Sequence, residues 1–485
     1  MIGLHFPYLE LTILLPAFCC VFVILASNSQ IARVRCLWIS GATLAAATAS
    51  WFDFATLQVF EAHDDWSLVE LITGRELIVI DEFSAPLLPL TALGFFLTLL
   101  ATVGHKTKNF SYSWALVAES LTLCALSAKE PWWLVFLLTA TCVPMLAELK
   151  SRNQSVRPFL LHQAVFVVCA VAGVWLSTKS AAPSLNLSSV LLAIAVLIRS
   201  GTVPAHCWMT DMMNRASFGS ALLFVSPMLG AYACMRLVLP ISPDWALRMI
   251  GLLSLATAVY ASGMALVQTD ARRFFSFLFL SHSSLVLVGL ELVTPIGLTG
   301  ALSMWVSVGI ALTGFGITLR CIEARVGRIS LDRYYGLYSH MPTMAAFFLM
   351  TGLASVGFPC TIGFIATELL IDGAVTISPV VGCFVVFSTM LNSISVVHAY
   401  FRIFTGTKRV GTIPLTSQFE ERIAVIVLTL LILGGGLFPQ SGVESRYRAA
   451  IDLMDDLHIQ IPQRGHAHNS EDGVEGSYDQ VIAKD

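Results

Sequence analysis

Within the apolar run 345–370, AAFFLMTGLASVGFPCTIGFIATELL, stands a single carboxylate, Glu368, preceded by Gly357, Pro359 and Gly363. An acid in hydrocarbon costs about 2.5 to 3.5 kcal/mol on insertion scales, so such a group marks an ion path unless it faces bound water or snorkels to an interface. Proline removes an intrahelical donor and clashes with the turn before it. A helix break near Pro359 is therefore expected, freeing backbone groups that protein or cavity water must satisfy. A second run, 190–211, VLLAIAVLIRSGTVPAHCWMTD, places the cation Arg199 just ahead of Gly201 and Pro204. Further ionisable groups sit in or beside apolar segments: Glu119, His206, His282 and His398. Histidine titrates near neutral pH, although a hydrogen-bonded structural role fits these positions equally well. Arginine stays protonated, so Arg199 can attract or gate an ion but cannot hand on a proton.

The elements that position these groups must lie in a membrane. Of 485 residues, 56% are hydrophobic and only 12% charged, whereas about a quarter of a soluble domain is charged. The net charge of −3 and the lack of a basic patch argue against nucleic acid as a partner. All eleven cysteines fall in or beside apolar runs, without a C-x-x-C pair or a Cys/His set at zinc spacing, and read as small apolar residues. No metal site and no cofactor is expected, since no G-x-G-x-x-G, iron–sulfur or haem motif is found. The N-terminal stretch lacks a basic n-region and reads as the first span.

Apolar runs set against polar breaks predict an all-α integral membrane protein of about 14 spans. Placing the N-terminus outside puts 18 of the 28 basic residues in loops after odd-numbered spans and five in the opposite loops. Four more lie in the tail, and Arg199 lies in a span. The positive-inside rule then predicts both termini on the outer side. The interrupted spans are the seventh and twelfth, each fourth in a block of five, which predicts two inverted five-helix repeats, each with a broken helix. The expected division is a three-helix segment at 1–111, repeats at 112–240 and 241–404, a last span with its loop at 405–440, and a polar tail at 441–485. Within the tail, 449–461 suits a short amphipathic helix, and 462–485 has a disordered composition. Trp132, Trp133, Trp208 and Trp245 are expected as interface anchors. Asp270 with Arg272 and Arg273, and Asp211 with Arg215, are expected as helix-end contacts.

The chain resembles the antiporter-like proton-conducting subunits of respiratory complex I, nearest to the subunit M group of NADH-quinone oxidoreductase. Arg199, Pro204, His206, Trp208 and Asp211 follow the family segment K-x-P-x-x-P-x-H-x-W-x-P-D. Asp270, Arg272, Arg273, Ser281 and His282 follow its D-x-K-R and the S-H eight residues later. Tyr335 to Pro342 (YGLYSHMP) is similar to G-G-L-x-x-x-M-P, and the stretch from Pro359 to Glu368 to P-G-T-x-G-F-x-x-E, with the acid one residue late. The likeness covers about residues 80–440.

The resemblance implies a membrane-arm subunit without a redox centre, enzymatic only as part of a proton-translocating NADH-quinone oxidoreductase-like complex. It would lie in a bacterial-type cytoplasmic membrane beside other membrane subunits and move protons or cations. Its proton path would involve Glu119, Arg199, His206, His282, Glu368 and His398, with helix breaks at Gly201, Pro204, Gly357, Pro359 and Gly363. Charged family positions fall here on Thr139, Met228 and Val308, and the seventh-span lysine becomes Arg199, so a side-chain relay is interrupted. With Thr139 in place of the usual acid, Glu119 is the expected partner of Arg199, unless it faces a separate water pocket. These departures keep alternatives open: an inorganic-carbon uptake complex, a cation/proton antiporter complex of the same superfamily, or a non-conducting scaffold.

Overall fold

The computed structural model describes residues 2–57, 59–103, 106–107, 110–179, 182–406 and 417–460. Loop residues Lys108, Lys408 and Arg409 and the tail 462–485 lie outside the described residues. In chain order the helices are α1 (Tyr8–Ile24), α2 (Ser29–Leu57), α3 (Leu68–Thr73), α4 (Leu87–Leu100), α5 (Tyr112–Leu126), α6 (Pro131–Ala140) and α7 (Cys142–Ser151). Then come α8 (Arg157–Ser177), α9 (Ala182–Ser200), α10 (Cys207–Arg215), α11 (Phe218–Val225) and α12 (Leu229–Ala233), which continues as a π-helical turn over Cys234–Val238. The second half holds α13 (Asp244–Val267), α14 (Ala271–Leu290), α15 (Pro295–Val326), α16 (Pro342–Ser355), α17 (Ile362–Ile377), α18 (Pro379–Phe404), α19 (Phe419–Leu437) and α20 (Gln440–Gln460). Three short strands, β1 (Ile2–Leu4), β2 (Glu61–Asp64) and β3 (Ile80–Asp81), form one small sheet in that order. β1 and β2 run parallel, with Ile2 opposite Ala62, and β2 and β3 run antiparallel, with Glu61 opposite Asp81.

The expectation of about 14 spans in two inverted five-helix repeats is corrected. Among the described residues seven helices are long and apolar enough to cross a membrane, or eight if α19 and α20, bent by 79°, count as one. That number cannot supply two five-span blocks with flanking spans. Composition tells whether a run prefers lipid, but backbone continuity decides how long its helix is. At 1.5 Å per residue, a 14-residue helix reaches only about 21 Å against a hydrocarbon core of about 30 Å. α4 and α16 have that length, and α1 and α5 are also short. The tail also differs, for α20 starts at Gln440 rather than near 449.

The bundle is an all-α, multi-pass membrane fold built around α14 and α15. These two are apolar on nearly every side and have 94% and 89% of their apolar windows buried, against 33% for the peripheral α8. The closest pairings are α13 with α14, α15 with α17, and α8 with α9. At one end Arg446 of α20 donates to the carbonyls of Glu82 at 2.7 Å and Phe83 at 3.3 Å, tying the last helix to the turn before α4. Close by in sequence, Asp81 pairs with Arg236 of the π-helical turn at 2.6 Å. Asp270 caps α14 by accepting from the amides of Arg272 and Arg273, and Asp211 pairs with Arg215 one turn on at 2.6 Å.

Candidate functional site

The first helix break separates α9 from α10 over residues 201–206. Gly201 takes φ +73°, a conformation that costs a residue with a side chain and not glycine. The freed backbone groups are met by protein. The amide of Val203 donates to Thr257 Oγ1 on α13 at 3.1 Å, and Trp208 Nε1 donates to the Ile198 carbonyl at 3.0 Å. Trp208 is therefore a core residue, 1% exposed and edge-on to Phe159 and Phe224, rather than an interface anchor. Trp132 and Trp245 do lie at the surface.

The second break, residues 356–361, separates α16 from α17. Gly357 has φ +81°, Pro359 is exposed, and the amide of Phe358 returns to the Leu353 carbonyl at 3.1 Å. Gly363 opens α17 against the end of α16, where a Cβ would stand 2.0 Å from the Ala354 carbonyl oxygen.

Arg199 occupies the last turn of α9 and is 5% exposed. Its Nη2 donates to Thr141 Oγ1 at 2.8 Å, and its Nη1 to Gln163 Oε1 at 3.3 Å and to Cys142 Sγ at 3.5 Å. The guanidinium also lies over the Phe224 ring at 4.6 Å. No carboxylate pairs with it among the described residues. The expected ion pair with Glu119 is not formed. Arg199 turns toward the junction of α6 and α7 and toward α8. Glu119, fully buried on α5, turns the other way and accepts from Ser40 of α2 at 2.8 Å. Its Oε2 has no protein partner.

His282, fully buried on α14, sits in a polar cluster that joins three helices. Its Nδ1 lies 3.1 Å from Asn392 Nδ2 on α18, which also donates to Ser281 Oγ at 2.9 Å. Ser281 and Ser388 both donate to the Ala258 carbonyl of α13, at 2.9 and 3.0 Å. His282 Nε2 and Asn392 Oδ1 are left without protein partners. His206 stands half-buried at the residue preceding α10, with no hydrogen bond from its ring to the helix, its ring 5.4 Å from that of Tyr260 and its Nδ1 unpartnered. His398 is half-buried near the end of α18, where its Nε2 accepts from Arg402 Nε at 3.1 Å.

Glu368 is not inside. It lies exposed on the outward face of α17, with Phe364 one turn before it and Asp372 one turn after. The preceding residue, Thr367, is 8% exposed and points inward, its hydroxyl 3.9 Å from Met304 Sδ. One residue is about 100° of helix rotation, so an acid placed one position late leaves the interior. The other interrupted positions carry no proton either. Thr139 bonds its own helix at the Val135 carbonyl, Met228 starts α12 with φ +50°, and Val308 is fully buried.

Sequence reasoning missed Thr141, Gln163 and Asn392, the polar partners that hold Arg199 and His282. Gln163 and Asn392 each interrupt an apolar run, and that was the available signal. Also missed was Glu421, at 1% exposure, which pairs with Lys106 at 2.6 Å and with Arg325. Chemically, the interior offers a fixed positive charge at Arg199 and two groups able to take or give a proton at an unpartnered atom, Glu119 and His282.

Residues 159–392 match the family described as NADH:quinone oxidoreductase/Mrp antiporter, TM. The chain is 26% identical over 256 residues to NADH-quinone oxidoreductase subunit M of Rickettsia typhi, which covers 51% of this chain and 52% of that one. It thus spans about half the length of the curated relatives it matches. Its fold is similar to a chain of respiratory complex I from Thermus thermophilus, with a TM-score of 0.81 at 21% identity, covering 93% of this chain and 99% of that one. A chain of the Mrp complex from Dietzia sp. DQ12-45-1b is as similar, with a TM-score of 0.81 at 18% identity over 93% of this chain and 98% of that one. Sequence motifs, helix breaks and these likenesses agree, and the segment 159–392 belongs to the family of NADH:quinone oxidoreductase and Mrp antiporter transmembrane subunits.

Proposed function

We propose that the chain is a membrane-arm subunit of a proton-translocating NADH-quinone oxidoreductase-like complex, contributing a proton pathway and no redox centre of its own. It would sit among other membrane subunits in a bacterial-type cytoplasmic membrane, with both termini on the outer side. One observation carries the reading. Glu119, Arg199 and His282 are buried on three helices of a membrane bundle, and no opposite charge neutralises any of them among the described residues. The permanent cation Arg199, without a counter-charge, costs several kcal/mol, so retaining it calls for a role, and Glu119 and His282 are buried groups able to be either charged or neutral. Arg199 would set the local potential beside the first break, and Glu119 and His282 would exchange protons.

A second reading, a cation/proton antiporter or an inorganic-carbon uptake complex, is favoured by Met228 and Val308 and by the outward Glu368, which interrupt a relay of side chains. Proton flux in proteoliposomes tests the proposal, comparing the wild type with Glu119→Gln and His282→Leu. Flux should fall at least about tenfold in each, which is about 1.4 kcal/mol of barrier. Flux that depends on a sodium gradient would select the antiporter reading, and flux equal in all three proteins would leave a scaffold.

A further inference from the structure

At the basic end of the bundle a cavity of about 330 Å³ lies between α11, α14 and α15, with Lys106 and Phe110 beside them. Arg320 enters it from α15 and is only 6% exposed. Its Nη1 donates to Thr102 Oγ1 at 2.8 Å and to the Thr98 carbonyl at 3.2 Å, and the guanidinium lies 5.3 Å from the centre of the Phe110 ring. No carboxylate pairs with it among the described residues. Room for the guanidinium is made by Gly219, where a Cβ would stand 2.7 Å from its central carbon.

The same cavity is lined by Lys106, Arg152, Arg272 and Arg328, and among the described residues its one acid is Glu323. These four cations each hold an acid: Lys106 with Glu421 at 2.6 Å, Arg152 with Glu148 at 2.7 Å, Arg272 with Glu323 at 2.8 Å, and Arg328 with Asp270 at 3.6 Å. Glu421 is shared with Arg325, and Glu323 with Arg328 at 3.8 Å. Every acid in the network is thus taken, two of them twice, and Arg320 receives none. A desolvated guanidinium with neutral partners only is costly, and an anion entering the cavity would remove that cost.

We propose that this cavity binds a phosphate-bearing anion, with Arg320 as its buried anchor and Arg272 and Arg328 at its mouth. Guanidinium groups match phosphate oxygens in geometry as well as charge. Basic pockets between membrane helices take anionic lipid headgroups, and inorganic phosphate offers the same chemistry. The site does not depend on the chain conducting protons.

The test uses the full chain, delipidated in uncharged detergent, with the melting temperature followed as a probe is added. Phosphatidylglycerol is titrated against phosphatidylcholine, and in a parallel series inorganic phosphate against chloride at constant ionic strength. The wild type should gain stability from phosphatidylglycerol, from phosphate, or from both. A response to the lipid alone identifies a headgroup held with its chains, and a response to phosphate identifies the free anion as sufficient. Arg320→Gln should weaken the apparent affinity roughly tenfold or more. The half-exposed Arg328→Gln should weaken it less and keeps the test decisive if the first variant does not fold. Arg248→Gln, at the other end of the bundle, should respond as the wild type does. Equal responses to phosphatidylglycerol and phosphatidylcholine and to phosphate and chloride, or full responses in both cavity variants, would overturn the assignment.

Discussion

Arg199 donates through Nη2 to the hydroxyl of Thr141 at 2.8 Å, so a permanent cation inside the bundle is held by a neutral partner. Losing that hydroxyl leaves a buried charged donor without this partner. Thr141→Val should cost about 1–3 kcal/mol in unfolding measurements. Adding Arg199→Met to that variant removes the buried charge as well and should recover most of the loss. A double variant less stable than Thr141→Val would show that the cation itself holds the helices together.

Asn392 joins α18 to α14 through Ser281 at 2.9 Å and His282 at 3.1 Å. Leucine has a similar size and no donor. Asn392→Leu should therefore destabilise by about 1–3 kcal/mol, seen as a lower melting temperature, because the buried imidazole loses its polar neighbour. An unchanged melting temperature would mean that the cluster is held by Ser388 and the Ala258 carbonyl alone.

The contact of α15 with α17 depends on Gly300, where a Cβ would stand 2.5 Å from the Leu370 amide nitrogen and 2.8 Å from the Leu369 carbonyl carbon. Backbone atoms cannot turn aside as a side chain does. Gly300→Ala is expected to cost about 1–3 kcal/mol by overpacking. Gly263→Ala, which meets nothing within 4 Å, serves as the control and should be neutral or slightly stabilising.

At the sheet end, Asp64 accepts from the amides of Leu9 at 3.3 Å and Glu10 at 2.6 Å, in the first turn of α1. Burial pushes its carboxyl up to about 6 from an ordinary 3.8, against the pull of those two amides. Between those values the folded state holds a proton that the unfolded state releases. The stabilisation is complete below about pH 3.8 and disappears as the pH rises through about 6. Asp81 has the opposite sign. Burial raises it, the Arg236 guanidinium and the hydrogen bonds from Ser84 together outweigh burial, and its net lowering matters only at more acid pH. Amide exchange in β1 and β2, corrected for intrinsic rates, should therefore be slower at pH 5 than at pH 7. The slope should be at most about 1.4 kcal/mol per pH unit. Asp64→Asn should abolish it.

Some of this protein was decided locally, and those parts could be read from the chain. Apolar content alone requires a membrane. Gly201 with Pro204, and Gly357 with Pro359, act on their own backbone torsions, so the interruptions after Ser200 and Ser355 needed no knowledge of neighbours. The Asp270 cap and the Asp211–Arg215 pair are likewise contacts across one turn.

What the tertiary structure alone decided was direction and partnership. Glu368 and Thr367 differ by one position in sequence and by the two sides of a helix in space, and only packing against α15 shows which of them faces inward. The partners of Arg199 come from residues 141, 142 and 163, and that of His282 from 392, across distances in sequence over which no periodicity carries information. The number of long helices was hidden for a related reason. Hydropathy sums over a window, whereas each break in a helix is set by single torsions and by the neighbours that satisfy the backbone groups it frees.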